Sequence, residues 1–348
     1  MGCVHAPTTA PPDPLSDVIQ VGCSVFDLKG VLLYTNSYTR CVFNSDGSYF
    51  GGTSKALELV GRDDQVVWSK PFHTHHILTR TANGDVLVGS SEVRAIEDEK
   101  VRSDVLLRVN RAGEIVGRFS FADHESEWHR LIWRESKYVP FTWDREALPS
   151  VIAEISHLNS YYEIPASAES NQTLAQTPAF PSGAVVINSS APNSFLLVVT
   201  ADLQSIVSMH DFGRDVPITH DVQVLPTGHL LFFNNGNTAD AQPFSSLMKL
   251  DSRNWLPVWT FAENPRSRFF SKICGSVQLL SNGHVFFSDI TNEVSRAREI
   301  DQNGKSVLDL TLFDHRKNPS DTKGIQEAKR INLAEFLKAH DVGPALIR

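Results

Sequence analysis

Three stretches of this chain place a histidine directly ahead of alternating apolar residues. His75-His76 precedes ILTRTANGDVLV, His157 precedes LNSYYEIP, and His220 precedes DVQVLPTGHLLFF. A fourth stretch carries Cys274-Gly275 in the same place, ahead of SVQLLSNGHVFF. Imidazoles act near neutral pH as nucleophile, general base or general acid, and several together can hold a metal ion. Side chains this far apart in sequence cooperate only if the fold brings the heads of their segments to one point. A single histidine at a strand head is more often a hydrogen-bonded rim residue, so it is the repetition that singles these out.

The remaining histidines read as structural. His229 and His284 follow turn glycines, His73 lies in a loop, and His124, His129, His210, His315 and His340 fall on outer or inserted segments. Trp68, Trp255 and Trp259 lie on outer strands and are expected in the packing between repeats.

The elements that must position the histidines form one recurring unit: a short apolar strand, a turn ending in glycine, and a second apolar strand. The clearest copies are 75–92, 220–237 and 274–291. Asn83-Gly84 and Asn282-Gly283 are tight-turn dipeptides, because glycine takes positive φ without a Cβ clash, and Thr227-Gly228 and Ser182-Gly183 fill the same slot. Each hairpin is followed by a second strand pair, as in 54–70, 103–121, 193–211, 244–262 and 295–313. Repeated four-stranded units predict an all-β chain, a β-propeller. Five copies are direct, and the strands in VIQVGCSVFD and GVLLYTNSY can supply or close a sixth. Tandem β-sandwiches are the alternative, but they do not require such sameness between units.

Residues 1–18 are rich in proline and threonine and read as a flexible leader, with 19–348 as a single propeller domain. An insertion at about 123–155 has near-helical apolar spacing at Trp128, Leu131, Ile132 and Trp133 and again at Leu148, Ile152 and Ile155, so it is expected to be partly helical. A C-terminal helix is expected near 325–340. With 32 Lys+Arg against 40 Asp+Glu the formal charge is −8, which argues against a nucleic-acid partner. No apolar run is long enough to span a bilayer. The four cysteines lack paired CxxC spacing, so a structural zinc site is not expected, and a Cys23–Cys41 bridge is one possibility among several.

At its histidines the chain resembles the bacterial aryl-sulfate sulfotransferase (arylsulfotransferase) propellers. HDVQVLPTGHLLFFNNGN is similar to that family's His-Asp-x-Gln-x-Leu-Pro-x-Gly strand pair with its following Asn-Gly, and SHLNSYYEIP to its His-x-Asn-Ser-x-Tyr-Glu-Ile-Pro segment. CGSVQLLSNGHVFFSD is similar to its later Gly-x-x-Gln-x-Leu-x-Asn-Gly unit, and the likeness runs over about 50–310. The resemblance implies a six-bladed propeller exported to the periplasm. It would move a sulfuryl group from a phenolic sulfate ester to another phenol, without a nucleotide donor or other cofactor. It implies His220 as nucleophile through a sulfohistidine, His157 as a residue holding or protonating the sulfuryl and leaving oxygens, and His76 as a third ligand of the anion. Asn159 orients neighbouring side chains in that picture, and His75 is a further substrate-binding candidate.

One departure stands out. Where the family's strand ends in Ser-x-Arg, with the Arg gripping the sulfuryl oxygens, this chain has INSSAPN, so Ser190 or Ala191 occupies the matching place. Arg80, Arg94 and Arg268 are the candidate replacements. The departure leaves two other readings open: a non-catalytic propeller that binds a ligand or partner in its funnel, and a metal centre of His76, His157 and His220.

Overall fold

A computed structural model of the protein describes residues 17–96, 99–128, 139–140, 153–164, 180–190, 194–213, 216, 218–236, 241–272, 274–291, 293–314 and 328–332. The hairpins read from the sequence form six blades. Blade 1 contains β1 (Asp17–Val21), β2 (Ser24–Phe26) and β3 (Leu32–Tyr34). Blade 2 contains β4 (Arg40–Phe43), β5 (Tyr49–Gly52), β6 (Leu57–Val60) and β7 (Val66–Lys70). Blade 3 contains β8 (Leu78–Arg80), β9 (Val86–Ile96), β10 (Glu99–Val109) and β11 (Ile115–Ser120). The helix α1 (Glu125–Trp128) and the two-residue strands β12 (Val139–Pro140) and β13 (Ala153–Glu154) follow it. Blade 4 contains β14 (Leu158–Glu163), β15 (Val185–Ser189), β16 (Phe195–Val199) and β17 (Ile206–Asp211). Blade 5 contains β18 (Thr219–Val224), β19 (His229–Asn234), β20 (Ser246–Asp251) and β21 (Leu256–Phe261). Blade 6 contains β22 (Ser276–Leu279), β23 (Val285–Ile290), β24 (Val294–Ile300) and β25 (Ser306–Asp314).

The ring closes with β26 (Ala328–Asn332), which pairs antiparallel with β1 to complete the sheet β26-β1-β2-β3. The first and last strands among the described residues thus share a blade. The helix expected over 325–340 is a strand at 328–332: AKRIN supplies the backbone donors and acceptors that the open edge of β1 would otherwise leave unpaired. The rest of that segment lies outside the described residues. β1 begins at Asp17, inside the stretch expected to be leader.

Middle strands are apolar on both faces because each blade is packed between two neighbours. On β19, Leu230 and Phe232 join the core shared with blade 4, while Leu231 and Phe233 join the core shared with blade 6. Truncating a fully buried ring such as Phe232 to Ala should cost about 3–5 kcal/mol. Trp68, Trp255 and Trp259 pack against these inter-blade cores, as expected. Polar stitches add to them. Gln223 Nε2 reaches the Val277 carbonyl, Gln278 pairs with the Arg330 backbone, and Asp221 Oδ2 accepts from Val277 N at 2.8 Å. The glutamines of the two Gln-x-Leu motifs therefore join consecutive blades. Cys23 and Cys41 form a disulfide linking blade 1 to β4, a cross-link that should stabilise by about 3 kcal/mol through the unfolded chain.

Blade 3 departs from the common plan. β9 and β10 run eleven residues each, well past the four-stranded core, and β13 pairs in parallel with the β10 extension at Val101↔Ala153 and Arg102↔Glu154. Of the expected helical insertion, α1 is the helical part among the described residues, and Trp128 is buried with its ring stacked on Phe195 at 5.7 Å. Leu131, Ile132, Trp133, Leu148 and Ile152 lie outside the described residues.

Candidate functional site

The histidines singled out from the sequence come together. His76 Nε2 lies 3.3 Å from His157 Nε2, and the His76 ring centroid lies 5.2 Å from that of His157 and 6.4 Å from that of His220. His75 packs behind, 4.5 Å from His76 and 6.0 Å from His157. Each sits at the head of the first strand of its blade, β8, β14 or β18. The backbone there is unusual: His76, Asp221 and Cys274 have φ of 59°, 49° and 62°. Left-handed conformations at non-glycine residues cost of order 1–3 kcal/mol each and concentrate at functional sites. Gly275 is required for space, since a Cβ there would sit 2.8 Å from the Phe233 ring.

Each imidazole is aimed by a different partner. His220 Nδ1 lies 2.6 Å from Asn235 Oδ1. The Asn235 amide is fixed in turn, because its Nδ2 donates to the Ser271 and Cys274 carbonyls at 2.8 and 2.7 Å. Its Oδ1 is therefore the acceptor, His220 Nδ1 carries the hydrogen, and Nε2 keeps its lone pair. His157 Nδ1 lies 3.2 Å from Glu154 Oε1, and Arg102 Nη1 lies 3.2 Å from Glu154 Oε2. The pairing of β13 with β10 is what sets Glu154 beside Arg102, three residues before His157. His75 Nε2 faces Asp104 Oδ1 at 2.9 Å and the Arg102 guanidinium. Asp104 also accepts from Leu158 N at 2.5 Å, tying the head of β14 to the extended hairpin.

Burial makes three of these imidazoles neutral. Loss of water pushes His220 down to about 4, with the Asn235 contact opposing and His157 assisting. His76 is held well below the usual range by burial and by the neighbouring His75, His157 and His220, and His75 by burial and the Arg102 charge. The Cys274 thiol is pushed up to about 11 by burial, so it stays protonated at neutral pH.

The cleft is narrow and is lined by His76, His220, Asn159, Asp221, Cys274 and Gly275, among others. Asn159 Nδ2 donates to the Thr219 carbonyl at 2.7 Å, which turns its Oδ1 free of protein partners among the described residues. His75 is not part of the lining; its ring serves the Arg102–Asp104 pair behind His76. No set of three His, Cys, Asp or Glu side chains among the described residues is arranged to hold a metal ion.

None of the candidate replacement arginines reaches the cleft. Arg80 is exposed at the turn end of β8, Arg94 pairs with Glu92 and Asp123, and Arg268 is exposed on a short 3-10 turn. Ser190 is described and its N donates to the His157 carbonyl at 2.9 Å, while Ala191 lies outside the described residues. The cations near the histidines are Arg102 and Arg40, neither of which carries a motif. Asn235 was within reach of sequence reading, since it is the Asn of the quoted Asn-Gly; Glu154 and Arg102 carry no local signal because their role depends on the β10–β13 pairing. The structural histidines behave as expected: His210 stacks on Trp255 at 3.5 Å, His284 pairs with Glu299 at 2.7 Å, and His124 stacks on Phe119 at 4.7 Å. His129, His315 and His340 lie outside the described residues.

A protein of unknown function from Bacteroides caccae is similar in structure. It is 12% identical, with 91% of this chain and 99% of that one covered and a TM-score of 0.55, which shows the fold alone. The Dos1 propeller matches at 11% identity over 85% and 69% of the two chains with a TM-score of 0.40. The Pan2 WD40 domain of Neurospora crassa matches at 10% over 78% and 64%, also with a TM-score of 0.40. No curated protein matches the chain. The arylsulfotransferase (ASST) family model matches residues 53–312, which takes in the site histidines, the outer strand pair of blade 2 and blades 3 to 6. With the six-bladed ring and the clustered histidines, this match means that the chain belongs to the arylsulfotransferase family.

Proposed function

We propose that the protein transfers a sulfuryl group from an aryl sulfate ester to a phenolic acceptor, with His220 Nε2 as the nucleophile. The observation that carries this reading is the Asn235 contact, which leaves a neutral, hydrogen-free Nε2 on a buried imidazole lining the cleft. In the first half-reaction the Nε2 lone pair forms a bond to sulfur while the S–O(aryl) bond breaks, and the phenolate departs with the electron pair. In the second, the acceptor oxygen attacks the sulfohistidine sulfur and the N–S bond returns its electrons to His220. The acceptor's proton passes to the His76–His157 pair, where Glu154 against His157 Nδ1 balances the charge, and from there to the departed phenolate. Asn159 Oδ1, which has no protein partner among the described residues, would accept a hydrogen bond from the incoming hydroxyl. The Cys23–Cys41 disulfide favours an oxidising, extracytoplasmic location for this chemistry.

The test is incubation with 4-nitrophenyl sulfate and phenol, followed by an alkaline quench and peptide mapping. Release of nitrophenolate with a sulfo group on the His220 peptide is the expected result. A protein that releases none and carries no label rules the reading out.

A further inference from the structure

Sulfuryl transfer needs a cation on the sulfuryl oxygens, and this chain lacks arginine at the place where its family carries one. Arg102 cannot serve: it has no exposed surface and is ion-paired to both Asp104 and Glu154. Arg40 differs in every respect. It is the first residue of β4, the innermost strand of blade 2, at the same end of its blade as His76, His157, His220 and Cys274 are of theirs. Its side chain is partly exposed, its Nε is buried without a hydrogen-bond partner among the described residues, and its Nη1 donates to the Thr39 hydroxyl at 3.1 Å. Among the described residues no carboxylate pairs with it. β4 packs against β8, the strand that His75 and His76 head, and the Arg40 charge bears on both imidazoles and on Cys274 of blade 6. The strand head that carries it is fixed, since the next residue, Cys41, is disulfide-bonded to Cys23 and its carbonyl accepts from Gln20 Nε2 at 2.9 Å. A partly exposed cation with a vacant donor on a pinned strand is a site prepared for an anion from outside the protein.

We infer that Arg40 binds the tetrahedral oxyanion of the substrate, a sulfate monoester, taking from blade 2 the role that relatives assign to an arginine in blade 4. The inference rests on the sulfuryl-transfer reading for the identity of the anion, but the site itself is testable without turnover. Isothermal titration of inorganic sulfate and of 4-nitrophenyl sulfate into the wild type, R40Q and R40K should show affinity falling about tenfold or more in R40Q. R40K should fall between, because it keeps the charge and loses the fork. Thermal melts of all three report whether the fold is intact, and R40K carries the comparison if R40Q does not fold. Sulfate that binds R40Q or R40K as well as the wild type, or that does not bind the wild type, overturns the assignment. Loss of sulfate binding in R40Q together with an unlabelled His220 in the wild type keeps Arg40 as the oxyanion site and sinks the transfer reading instead. A labelled His220 with unchanged sulfate affinity in R40Q does the reverse.

Discussion

His220 and His157 enter one funnel from adjacent blades, yet the protein holds them by opposite means. His220 rests on a neutral amide whose own hydrogen bonds are saturated by two carbonyls, whereas His157 rests on a carboxylate that is itself paired with a buried arginine. A neutral acceptor offsets only part of the cost of charging a buried imidazole, so burial prevails and His220 falls to about 4. A carboxylate gives a proton taken up at the far nitrogen an anionic counterweight. Under the proposed sulfuryl transfer, that difference would suit His220 in blade 5 to act as nucleophile and His157 in blade 4 to carry the proton.

The largest expected effect tests the nucleophile side. His220→Ala should lower kcat/KM for aryl sulfate by on the order of a thousandfold or more, with no sulfohistidine in a quenched sample. Next comes acid stability. Folded His220 stays neutral down to about pH 4, but the unfolded chain takes up that proton near 6.5, so the unfolded state binds more protons between those values. Stability should fall as pH drops through this window, by roughly 3 kcal/mol from His220 alone. His75 and His76 act in the same direction, and denaturant melts at several pH values measure the sum. On the proton-carrier side, Glu154→Gln should cost about tenfold to a hundredfold in turnover with an altered basic limb of the pH profile. An unchanged profile would make Glu154 merely structural. The smallest change crosses the two designs: Asn235→Asp puts a carboxylate on His220, raises its pKa, and should move the acid limb of the pH–rate profile upward by about one unit or more.

How far the sequence reached differs between these two histidines. For His220 the strand pair, the turn glycine and the Asn-Gly that holds it all lie within one hairpin, so local pattern was enough to place it. For His157 the local pattern identified the imidazole but not its partners. Glu154 and Arg102 stand 52 residues apart and meet only because β13 returns alongside an extension of β10. The C-terminal segment was misread for a related reason: AKRIN has no strong strand pattern of its own, and it becomes a strand because β1 offers an unpaired edge.

By itself the sequence determined the repeat, the all-β class and which histidines head the innermost strands, because alternation and turn glycines are properties of neighbouring residues. Only the tertiary structure decided that β26 closes the ring on β1, that Asn235 and Glu154 hold two histidines by different contacts, and that among the described residues Arg40 heads its strand with no carboxylate paired to it. Those outcomes depend on distances and on exclusion of water between segments remote in the chain, and no local spacing encodes either.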